Sequence, residues 1–253
     1  MPPLVSPATS IDEVIEQLDR IVSWARTTHS RQGLFPALYR KVTIGVRDGI
    51  AQGVFDDGAR MARLDVIFAN RYLDAFAARH GSQPMSRAWR AAFEAADQFW
   101  PTVIQHLLLG INAHINLDLG IAAADTAPGR DLPGLERDFN RINAILASLV
   151  EHVQQALCEI WPLMRVIDWA GGPHDEAIVH FSIERARAEA WAVATRLATV
   201  SDGDRAAEID RTDLHTAGLA SRVRNPGPLL ELATKLVRLG EIRSVPRILD
   251  LLG

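Results

Sequence analysis

The chain has 253 residues and one cysteine, Cys158. No disulfide can close within it and no cysteine-rich zinc site can form. A single thiol fits a reducing compartment, and the chain is expected to be cytoplasmic. Basic charge is not in excess. Its 27 Lys and Arg face 31 Asp and Glu, a net charge of −4, whereas a nucleic-acid binder shows a basic face. No nucleic-acid partner is expected. The opening MPPLVSPATSIDEV lacks a basic segment leading into an apolar one, so no signal peptide is expected. No unbroken apolar run reaches the roughly 18 residues of a membrane span. The longest, Leu107 to Ala124, is interrupted by Asn112, His114, Asn116 and Asp118. Strand-like alternation, internal repeats, low-complexity tracts and domain-separating linkers are also missing.

What is present is helical periodicity. Ser10 and Glu13 have the S-x-x-E form of a capping box. Ile11, Val14, Ile15, Leu18, Ile21, Val22 and Ala25 follow at i, i+3, i+4 spacing. Further helices are predicted over Phe35 to Ile50, Asp57 to Arg79, Ser86 to Phe99, Pro101 to Ala124, Leu135 to Trp161 and Asp175 to Val200. SDGD begins another, and RNPGP separates it from a Leu-rich C-terminal pair. The expectation is an all-α fold. One domain over 1–253 packs roughly eight to ten helices as a bundle around a buried central helix.

The central helix carries the chemistry. Gln105 to Gly120, QHLLLGINAHINLDLG, is apolar nearly all round, as a buried helix is. Its polar residues form two stripes at 100° per residue: His106, His114 and Asp118 on one side, Gln105, Asn112 and Asn116 on the other. Buried polar groups cost a few kcal/mol each unless partnered, so each stripe must face something polar. His114 and Asp118, one turn apart, can hold one metal ion. His106 lies about 12 Å up the axis at ~1.5 Å per residue and cannot share it. Neighbouring helices offer Asp65 on an otherwise apolar face, Asn143, and the i, i+4 pair His180 and Glu184 beside Arg187. The bland alternatives are an i, i+4 hydrogen bond for His114 and Asp118, an ion pair for Glu184 and Arg187, and a structural amide network for Gln105, Asn112 and Asn116.

Four segments together are similar to a bacterial all-helical family known only as a domain of unknown function: RLDVIFANRYLDAF, QHLLLGINAHINLDLGIAAA, DFNRINAILASLV and DEAIVHFSIERARAEAW. The likeness covers most of the chain and implies no activity. LLGINAHINLD also resembles the Gly-x-x-x-His-x-x-x-Asp pattern of the zinc-dependent phospholipase C and P1 nuclease group. That resemblance implies zinc held by His114 and Asp118, with Asp65 as an earlier ligand and His180 and Glu184 as a later pair.

Three readings follow. In the first, the protein is a metal-dependent hydrolase of a small phosphoester or ester. Its zinc, iron or manganese sits on His114, Asp118, Asp65 and His180 or Glu184. His106 shuttles protons and Arg187 stabilises negative charge. In the second, no metal binds. The polar stripes, with Asn143, line a pocket for a small molecule, or serve an acid–base enzyme of cyclase or isomerase type. In the third, the bundle is structural and its polar core is fully paired.

Overall fold

The computed structural model describes residues 4–81, 83–161 and 183–253, with backbone alone at 149–151. Among the described residues there are ten helices and no strand. They are α1 (Ile11–Thr28), α2 (Leu34–Ala51), α3 (Gly58–His80), α4 (Arg87–Ala96), α5 (Val103–Thr126), α6 (Leu132–Ile160), α7 (Ile183–Thr199), α8 (Asp202–Arg224), α9 (Pro228–Gly240) and α10 (Val245–Leu252). The part of the predicted seventh helix before Ile183 lies outside the described residues.

The starts of these helices follow from short polar side chains that accept the free N–H groups of a first turn. Ser10, Asp57, Ser86, Thr102, Ser201 and Ser244 cap α1, α3, α4, α5, α8 and α10. The predicted Ser10 box is half formed. Ser10 accepts from the Glu13 N–H at 3.2 Å, but the Glu13 carboxylate turns to Thr9. The complete box is Thr102 with Gln105, so α5 begins after Pro101 rather than on it. α4 stops at Ala96, short of the predicted Phe99. The carbonyls of Gln98 and Phe99 are taken instead by Arg31 and Arg238.

α5 is the axis of the molecule, enclosed by α2, α3, α4, α7 and α8. It is long and apolar enough to cross a membrane, yet 83% of its apolar window is buried in the fold. Two glycines let its neighbours close in. A Cβ on Gly110 would lie 2.5 Å from the Phe35 ring, and one on Gly120 would lie 2.7 Å from the Ala190 carbonyl. Its middle, Asn112–Leu119, is π-helical. A helix with i→i+5 bonds turns its side chains off the 100° wheel, a departure no 3.6-residue pattern announces.

Two buried aspartates fasten distant helices. Asp138 of α6 accepts from the N–H groups of Asp56 and Asp57 at 2.8 and 2.9 Å, just before α3. Asp213 of α8 accepts from Arg87 and Ala88 at 2.8 and 2.9 Å, the first turn of α4. α4 is thereby held in place to wall the site described next.

Candidate functional site

His114 and Asp118 sit in the core, on the side of α5 that faces α2, α3 and α4. Asp118 accepts from Arg71 Nε at 3.0 Å, Trp89 Nε1 at 2.8 Å and His114 Nδ1 at 3.3 Å. A carboxylate facing Nδ1 demands the proton there, which leaves Nε2 of a neutral ring as a bare lone pair. Burial above all lowers the His114 pKa, although Asp118 pulls the other way. The imidazole stacks on Phe68 with centroids 3.6 Å apart, and Phe35, Tyr39 and Tyr72 meet it edge-on.

Around this ring lie polar atoms without partners. His114 Nε2, Asp65 Oδ2 and the Tyr72 hydroxyl are buried and hydrogen-bond to nothing among the described residues, whereas the Tyr39 hydroxyl is met by Thr43 and the His106 ring, further along α5, by the Pro101 backbone. Burial pushes the Asp65 carboxyl up to about 7. Tyr39 rises well above its usual value through burial first and the nearby Asp65 second. Burial likewise raises Tyr72. Buried polar groups are normally satisfied, so these atoms are where a water or a ligand would find partners.

A crevice reaches Tyr72 and His106 from the surface. Arg31, Gln32 and Phe35 form one lip, Trp89, Ala92, Phe93 and Ala96 of α4 the other, and Tyr72, His106 and Gly110 the floor. Its free volume is about 20 Å³, room for one water. Phe35 separates crevice from interior, its ring 5.2 Å from Tyr72, 5.6 Å from Trp89 and 5.5 Å from His114. Burial, then the charges of Arg31 and Arg238, hold His106 down at about 3, so it is a neutral imidazole. Behind it, Glu241 accepts from the Val103 N–H at 2.9 Å and faces Arg238 at 3.3 Å. Burial pushes this carboxyl up to about 7 in spite of both contacts.

The remaining expected site residues lie elsewhere or are committed. Gln105 closes the α5 cap and donates to the Val223 carbonyl at 2.8 Å. Asn112 donates to the Thr216 carbonyl at 3.0 Å, and Asn116 donates to Asn112. That stripe therefore faces α8. Arg187 bonds to Asn143 at 2.6 Å and to the Phe139 carbonyl, and lies over the Phe139 ring. Both Arg187 and Asn143 join α7 to α6. Glu184 is exposed, and His180 lies outside the described residues. Among the described residues no three His, Cys, Asp or Glu side chains form a metal-binding group. The oxygens of Asp118 face a guanidinium and an indole N–H, donors a cation would have to displace. Sequence reasoning missed Arg71, Arg31 and the two tyrosine hydroxyls. The signal was the scarcity of tyrosine: the chain has two, and both are in this core.

The profile of a family of unknown function, DUF5995, matches residues 11–226. No curated protein matches the chain, and no solved structure does.

Proposed function

The chain belongs to the DUF5995 family of unknown function, and from its own core we propose that it binds a small molecule, without a metal, between α2, α3, α4 and α5. One observation carries this reading. Three buried polar atoms on three side chains, His114 Nε2, Asp65 Oδ2 and the Tyr72 hydroxyl, lack a partner among the described residues, and Tyr72 lines a crevice open to solvent. Each such group costs about 1–3 kcal/mol. A core selected for stability alone would carry phenylalanine at position 72. Aromatic walls with a few convergent polar atoms are the ordinary makeup of a ligand site. Acid–base chemistry is open to the same groups. Asp65, near 7, is half protonated at neutral pH, and neutral His114 offers Nε2 as a proton acceptor. An isomerase or cyclase reaction needs such a pair.

A fragment screen by ¹H–¹⁵N NMR tests the proposal. Binding fragments are expected to shift the Trp89 indole and the Gly110 amide, equally with and without EDTA. Hits confined to other surfaces, or none, would overturn it. Elemental analysis tests the metal-dependent alternative. One or more equivalents of zinc, iron or manganese, lost in His114→Ala, would restore the hydrolase reading with His114 and Asp118 as ligands.

A further inference from the structure

The crevice has a chemical bias at its mouth. Arg31 lines it and spends Nη1 on the carbonyls of Gln98 and Phe99, at 2.6 and 3.2 Å. Among the described residues no carboxylate comes within ion-pair distance of it. Its neighbours differ. Arg238 is matched by Glu241, and Arg79 by Asp97. Gln32 at the same lip reaches Asp97 at 3.4 Å. The mouth thus holds a guanidinium whose Nε and Nη2 have no partner among the described residues, the two-donor edge that a planar anion takes. Burial first and the like charge of Arg238 second lower its pKa, while Glu241, already paired with Arg238, pulls the other way. Inward, the walls are Phe35, Trp89 and Phe93 with the small Ala92 and Ala96. The floor offers neutral donors and acceptors, the Tyr72 hydroxyl and the His106 ring.

We infer that the ligand is a small flat carboxylate, its anionic end on Arg31 and its ring beside Trp89 in the place of the Phe35 ring, with a polar atom directed at Tyr72 and His106. The inference rests on the pocket reading given above. Because about 20 Å³ admits only a water, the ligand takes the space filled by the Phe35 ring, which packs directly against Gly110.

Four compounds test this by saturation-transfer NMR and thermal shift: benzoate, 4-hydroxybenzoate, and the neutral benzamide and 4-hydroxybenzamide. Each is titrated into the wild type, Arg31→Met, Arg31→Lys and Phe35→Ala. The acids are expected to bind about tenfold more tightly than the amides, the worth of one charge-assisted contact. Phe35→Ala should bind both kinds better and keep the preference. Arg31→Met should abolish the preference with little change in melting temperature, and Arg31→Lys should restore part of it. Equal binding of acids and amides would overturn the anion assignment and leave the pocket standing. A preference for acids that survives in Arg31→Met would also overturn it. If no compound binds the wild type or Phe35→Ala, the pocket reading falls and this inference falls with it.

Discussion

Tyr72 places a hydroxyl where no described residue partners it, and Tyr39 one that only Thr43 meets. The rings themselves are well used, packed against Phe35, Phe68 and Trp89. Only the oxygen is unexplained by packing. Tyr72→Phe removes that oxygen and keeps the ring, so it is expected to stabilise the free protein by about 1–3 kcal/mol, and Tyr39→Phe, which also gives up the Thr43 contact, should stabilise less. Urea unfolding measures this directly. The same variants should weaken the fragments that bind the wild type, because stability and function are opposed at such a site. A variant less stable than the wild type would mean that its hydroxyl has a partner in the folded protein, and that the core is satisfied after all.

At the scale of helices, α4 depends on a residue far away in sequence. It is ten residues long, too short to hold itself in water. Asp213 of α8 accepts two of its first free N–H groups. Asp213→Ala is expected to cost about 2–3 kcal/mol by leaving buried donors unmet, and to speed amide exchange at Arg87 and Ala88. Unchanged exchange there would show that Ser86 alone caps the helix. α5 makes a second prediction. Gly110→Ala puts a methyl 2.5 Å from the Phe35 ring, so it should destabilise by about 1–3 kcal/mol through overpacking and shift the Phe35 resonances. How legible each element was follows from the range of its cause. Caps and apolar stripes act over three or four residues, so the start of α1 and both ends of α2 and α3 could be placed from sequence within a residue or two. The burial of α5 and the polar stripe with His106, His114 and Asp118 were legible for the same reason. The π turn, the hold of Asp213 on α4, and the grip of Arg71 and Trp89 on Asp118 are contacts across the fold. No local pattern encodes them, and Arg71 reads in sequence as one more surface cation.

For the molecule as a whole, the buried titratable groups set opposing slopes of stability against pH. Asp65 moves from 3.8 to about 7 on folding and Glu241 from 4.5 to about 7. The native state holds their protons more tightly, so each lowers stability as pH rises from about 4 to 7. His106 moves the other way, from 6.5 to about 3, and His114 is also lowered. The unfolded chain takes up protons at these rings below about pH 6.5, so they raise stability over the range in which the acids reduce it. The wild type is therefore expected to show a shallow profile between about pH 4.5 and 6.5, and a decline from there to pH 7 where the acids act alone. Single variants should uncover the hidden slopes. Asp65→Asn removes one falling term, and its stability at pH 8 relative to pH 5 should exceed that of the wild type by about 3 kcal/mol, two pKa units at 1.36 kcal/mol each. His106→Leu removes a rising term, and its relative stability at pH 8 should drop by about 2 kcal/mol. Urea titrations at the two pH values give both numbers. If Asp65→Asn leaves the difference unchanged, the Asp65 carboxylate is ionised and partnered in the native core. It then has no proton to give near neutrality, and the acid–base role assigned to it fails, whatever the pocket binds.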